Sequence, residues 1–186
     1  MTLSRHFTLM ASSGVWGGLM SAFALAWASR VNGDSTVTGL NGPSHWFFGE
    51  RAAHAQRFSL RHTVVGALTH QASSFFWGSV FAALRTRAGA GQHGRGRIVA
   101  EAAALTALAA AVDLALLPRR FTPGFERRLP ARHLACVYLA FGAGLAAAAL
   151  LERRPAARAA ALRAAACPSP RWPHPPASRR CPVPRR

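Results

Sequence analysis

Lysine is absent from this chain of 186 residues, and all 23 of its basic residues are arginine. Alanine is correspondingly abundant. A GC-rich bacterial gene accounts for both biases, so the arginines are no sign of selection for guanidinium chemistry. Acids are scarce as well: six against those 23 leave a formal net charge of +17. Such a charge ordinarily points to nucleic acid. Here the arginines collect at the ends of apolar runs and in the tail, with no basic groove of interleaved aromatics. Nucleic acid is therefore set aside as a partner, and the lipid bilayer with its anionic headgroups takes its place.

Three cysteines, Cys136, Cys167 and Cys181, cannot build a disulfide framework. Only His174 falls between the last two, which is too sparse for a zinc site. There is no P-loop, no G-x-G-x-x-G, no G-x-S-x-G and no H-E-x-x-H. Glu50, Asp113 and Glu126 are too scattered to argue a carboxylate pair. The sequence names no reaction, so neither an enzyme nor a cofactor is expected.

What the chain does have is four long apolar runs, at about 7–28, 63–84, 98–117 and 134–151. A hydrocarbon core ~30 Å thick needs roughly 20 helical residues, and each run comes near that length. Arg5, Arg30, Arg61, Arg85, Arg97, Arg119, Arg132 and Arg153 stand at or just outside their ends. The runs are too long for barrel strands and lack two-residue alternation. The first and fourth show no polar stripe of the kind a soluble amphipathic helix carries. The first ends in an Ala26-Trp27-Ala28 cleavage-like pattern, but it exceeds a usual signal-peptide core, which favours a retained helix. The reading is an all-α integral membrane bundle of four transmembrane helices over residues 1–151, with short interfacial helices in the first and third loops. A largely disordered Arg/Ala/Pro-rich tail is expected over 152–186, with the last helix extending only as far as Pro155 allows.

An even number of spans puts both termini on one side. The arginine balance favours the cytoplasm, chiefly through Arg85, Arg87, Arg95 and Arg97 around the second loop. The first and third loops then face the periplasm. In the first, Trp46, Phe47 and Phe48 suit either a headgroup anchor or the lining of an outward pocket. In the third, Pro123 and Pro130 bracket one or two helical turns with Phe125 and Leu129 on one face. Glu126 there has arginine neighbours for an ion pair.

Thr8–Gly17 and Thr69–Gly78 agree at six of ten positions. Chance in an Ala/Ser/Gly-rich chain explains this best, and shared helix-packing chemistry explains the remainder. Gly14 with Gly18 and Ser74 with Gly78 are small-xxx-small pairs that let helices approach closely.

Ionisable groups at membrane depth need a partner or a function. Glu101 lies near the inner surface within reach of Arg97, Arg85 or Arg87. Asp113 is four residues before Leu117, ~6 Å below the outer end of its span, and His70 is seven residues past Thr63, ~10 Å deep. A His70–Asp113 hydrogen bond or ion pair is therefore expected, with Gln71 nearby. His45, His54, His62, His70 and His133 all fall on the outer side. No two lie i, i+4 on one helix, which ranks haem or metal low. The candidate functional polar residues are His70, Asp113, Glu101, His45, Glu50, Arg51 and Glu126.

Two stretches also carry a resemblance. Asn41-Gly42-Pro43-Ser44-His45-Trp46-Phe47-Phe48-Gly49-Glu50-Arg51-Ala52 and Asp113-Leu114-Ala115-Leu116-Leu117-Pro118-Arg119-Arg120-Phe121-Thr122-Pro123-Gly124-Phe125-Glu126 resemble the two loop signatures of a group of small proteobacterial inner-membrane proteins. The resemblance covers about residues 7–151. It implies a four-helix membrane protein and supplies no activity. The tail departs from the pattern, and a shifted reading frame of a GC-rich gene would give the same composition.

Two functions from different classes follow. The first is a structural or accessory membrane protein, working through its periplasmic loops on a membrane-protein partner or a second copy of itself. The alternative is a small proton- or cation-coupled transporter using His70 and Asp113. An envelope enzyme or electron carrier ranks last. A transporter predicts that His70 and Asp113 face a wet cavity, whereas an accessory protein predicts a dry bundle with small residues exposed.

Overall fold

A computed structural model of the chain describes residues 3–87 and 94–166. Four long helices dominate, namely α1 (Leu3–Val31), α2 (Val65–Arg87), α3 (Arg95–Ala111) and α4 (Ala131–Ala166). No strand occurs among the described residues. The chain divides into two compact units, Met1–Leu150 and Leu151–Arg186, and the bundle is the first of these.

Three helical stretches are long and apolar enough to cross a membrane: His6–Val31, Arg95–Leu116 and Ala131–Arg153. The expected fourth, α2, has the length at 23 residues but not the apolarity. Thr69, His70, Gln71, Ser73, Ser74 and Ser79 interrupt it. α2 lies against α1 along most of its length, and His70 and Gln71 bond to α1. Thr69, Ser74 and Ser79 donate to carbonyls of α2 itself, and Ser73 lines a cavity.

The α1–α2 contact is antiparallel and close because glycine permits it. A Cβ on Gly78 would lie 2.7 Å from the Gly14 backbone nitrogen, and one on Gly18 would strike the Gln71 amide. The small residues of the two similar decapeptides thus meet each other inside the bundle. The fourth helix uses the same device on the other side of α1: a Cβ on Gly144 would sit 2.5 Å from the Trp16 carbonyl oxygen. Large apolar side chains such as Leu19, Phe23, Leu68, Leu108 and Leu139 remain exposed around the outside, as a lipid-facing surface requires.

The core forms in two parts. Leu9, Phe81, Ile98, Leu105 and Leu145 fill the end near the N-terminus and the second loop. Leu25, Ala28, Phe125, Leu129 and Val137 fill the opposite, capped end. There the first and third loops fold over the bundle. The first is a chain of short turns, Thr38–Asn41, Gly42–Ser44, His45–Phe48 and Glu50–His54. The third contains one short turn, Phe125–Arg127, with Phe125 and Leu129 both buried.

Two departures from a regular helix are π-helical turns. Leu60–Val64 leads into α2, and Val112–Leu116 closes α3. In the second, the Leu117 N–H donates to the Val112 carbonyl at 2.9 Å across the widened turn. A third departure concerns Pro155, which does not end α4; the helix runs on to Ala166. A proline removes one backbone donor, and the surrounding alanines are strong helix formers that sustain the helix across the gap. The tail expected to be largely disordered over 152–186 is helical as far as Ala166; residues 167–186 and most of the second loop lie outside the described residues.

Candidate functional site

Beneath the capped end, a cavity of about 480 Å³ opens between α1, α2, α3 and α4. Its walls take Ser21 from α1, His70, Ser73 and Trp77 from α2, Ala109 from α3, and Tyr138 and Phe141 from α4. The π-turn contributes Asp113, and the cap contributes Trp46, Phe121 and Phe125. The volume lies within the ~300–1,000 Å³ usual for small-molecule pockets.

The local folding of each wall explains its polar group. Asp113 is the second residue of the π-turn, a widened turn of a kind frequent at functional sites. Its Oδ2 accepts a hydrogen bond from the Tyr138 hydroxyl at 3.1 Å. Among the described residues no arginine or histidine lies within ion-pair distance of it.

On the facing wall, His70 Nε2 is 2.9 Å from Ser21 Oγ. Ser21 Oγ also lies 2.8 Å from the Gly17 carbonyl and 3.2 Å from the Gly18 carbonyl. The direction of the Ser21–His70 bond is set by the tautomer of the ring.

The expected His70–Asp113 bond is therefore absent. Each residue is held by a neutral hydroxyl from a different helix, and the two face one cavity instead of each other. Gln71 is not part of the site either, since its Nε2 donates to the Gly14 carbonyl at 2.9 Å on the α1 side. The first and fourth runs, which show no polar stripe, nevertheless supply Ser21 and Tyr138. The sequence held a signal for both. Ser21 is seven residues before Ala28, as His70 is seven after Thr63, and Tyr138 is four after Leu134, as Asp113 is four before Leu117. Matching depth paired the right heights; it needed extending to uncharged partners.

The other candidates fall elsewhere. Glu101 sits at the opposite end of the bundle, between Arg85 Nη1 at 2.5 Å and Arg97 Nε at 2.9 Å. Arg85 is 3% exposed and also stacks over Phe81. His45, Glu50 and Glu126 belong to a clasp between the two loops, centred on Arg127. That guanidinium pairs with Glu50, lies 3.5 Å from Glu126, and donates to the Arg119 carbonyl at 2.6 Å. It also lies 3.2 Å from His45 Nε2. His45 Nδ1 donates to the Gly42 carbonyl at 2.8 Å, so Nε2 carries the lone pair that faces Arg127. Arg51 is exposed on its own turn and does not line the cavity.

A second clasp was not foreseen. Buried Asp34, just past α1, pairs with Arg128, and Gln56 donates to the same carboxylate at 3.2 Å. A tryptophan closes the roof: Trp46 Nε1 donates to the Thr122 carbonyl at 2.8 Å, while its neighbour Phe47 stays exposed.

The histidines expected on the outer side do not converge on one site. His62 packs on Phe48, His133 on Trp27 and His70 on Phe125. Among the described residues no group of three or more His, Cys, Asp or Glu is placed to hold a metal ion. No family model, no curated protein and no solved structure matches the chain.

Proposed function

We propose that this chain is a four-span protein of the bacterial inner membrane, with both termini cytoplasmic, that takes a small ligand into the cavity beneath its periplasmic cap. It acts as a small proton- or cation-coupled carrier, with His70 and Asp113 as the ligand- or proton-bearing groups. One observation carries the reading: the two ionisable groups that the membrane makes costly face a shared cavity and have no ionic partner there among the described residues. A merely structural role would be met more cheaply by pairing them, as Glu101 is paired. α2 counts as the fourth span because its polar side chains bond to α1, bond to its own carbonyls or line the cavity. The arginine distribution and the loop resemblance support the orientation and the bacterial membrane.

The accessory reading asked for a dry bundle with small residues exposed and a working surface on the loops. Gly14, Gly18, Gly78 and Gly144 are instead used inside the bundle. Many charges of the loops are tied to one another.

Side-specific labelling tests the proposal. In a chain with Cys136, Cys167 and Cys181 replaced by serine, Ser73→Cys places one thiol on the cavity wall. A membrane-impermeant thiol reagent is expected to label it from the periplasmic side. No labelling from either side would return the chain to the accessory class, and labelling only from the cytoplasmic side would reverse the orientation.

A further inference from the structure

We propose that the ligand of the cavity is a hydrophobic organic cation, an ammonium or phosphonium group carrying apolar or aromatic substituents. This rests on the carrier reading and adds the chemical class to it.

The first ground is charge placement. The chain carries 23 arginines, yet none lines this cavity among the described residues, and its one charged wall group is the carboxylate of Asp113. Tyr138 donates a single hydrogen bond to that carboxylate, which leaves its remaining lone pairs unmatched. His70 has Nε2 committed to Ser21. An anion entering here would meet no arginine among the described residues, and a carboxylate in an apolar site calls for a positive charge.

The second ground is the rest of the wall. Trp46, Phe76, Trp77, Phe121 and Tyr138 are among the lining residues. Aromatic rings present negative π-faces, and walls of several rings recognise quaternary ammonium groups. Such a wall serves a cation with hydrocarbon attached, whereas a bare metal ion needs a shell of oxygen ligands that this site lacks. The third ground is size, since about 480 Å³ far exceeds what an inorganic ion fills and suits a drug-sized molecule.

The probe pair is tetraphenylphosphonium and tetraphenylborate, which share a shape and differ in the sign of the charge. Equilibrium dialysis against the full chain in detergent should show saturable tetraphenylphosphonium binding and none for tetraphenylborate. Asp113→Asn should weaken the cation by about tenfold or more, because a charge pair out of water is lost. Tyr138→Phe, which keeps the carboxylate, should change affinity by less than about threefold, the average worth of one interhelical hydrogen bond in a membrane bundle. Should Asp113→Asn not fold, Phe76→Leu serves instead; its ring is partly exposed at the cavity, and its loss should weaken binding several-fold. Equal saturable binding of both ions overturns the proposal, as does cation binding indifferent to Asp113→Asn. If Ser73→Cys is labelled from the periplasm and tetraphenylphosphonium does not bind, the ligand class alone is overturned. If the thiol is unreactive from both sides, the carrier reading falls too.

Discussion

The two ends of the bundle treat ionisable groups in opposite ways. Near the N-terminus and the second loop, Glu101 is held between two arginines, and Arg85 is sealed against Phe81 in a packed core. Under the cap, Asp113 and His70 are each held by one hydroxyl and face a cavity. The same costly chemistry is neutralised at one end and left available at the other. Glu101 has its counter-charges within the fold, while under the proposed function the ligand supplies the counter-charge of Asp113.

This contrast predicts a graded set of responses. The largest belongs to Glu101→Gln, which leaves Arg85 buried without its carboxylate. A loss of about 3–5 kcal/mol is expected in an unfolding titration in mixed micelles. A loss under ~1 kcal/mol would mean that water reaches this end as well. Next is Gly144→Ala, whose new methyl would meet the Trp16 carbonyl. Forcing α1 and α4 apart should cost about 1–3 kcal/mol in the same titration; a neutral result would show that the helices slide freely.

Asp113→Asn sharpens the comparison from the other side. The amide oxygen still accepts from Tyr138, and interhelical hydrogen bonds of this kind average ~0.6 kcal/mol. Stability should therefore move by less than about 1 kcal/mol. A loss as large as that for Glu101→Gln would make Asp113 structural. The smallest effect is expected for Glu50→Ala in the cap. Its side chain is 69% exposed, so loss of its pair with Arg127 should cost under ~1 kcal/mol.

The helices were legible because membrane crossing sets a length and an apolarity that the sequence must obey. α2 shows the limit of that rule. Its polar residues lower its apparent fitness for lipid, and only the packing against α1 reveals where they go. The cavity was half legible, since span arithmetic put His70 and Asp113 at similar depth but assumed that like depth meant direct contact. Ser21 was hidden in a stretch rich in serine, glycine and alanine, where one more serine carries no weight. Tyr138, the sole tyrosine, was overlooked because an uncharged residue raises no alarm in an apolar run. The Asp34–Arg128 clasp joins residues 94 positions apart in loops without periodicity, and no local pattern announces such a pair.

The widened turn at Val112–Leu116 has an evolutionary consequence. A π-turn holds one residue more than the α-turn it replaces, and each residue rotates a helix by roughly 100°. Asp113 keeps its register with α3, while Leu117 and the chain beyond enter the cap one step later. Loss or gain of a residue among positions 114–116 would therefore re-aim the roof and leave the carboxylate where it stands. Lid and site can then vary separately, so under the proposed function a lineage could change what the pocket admits without disturbing how it grips.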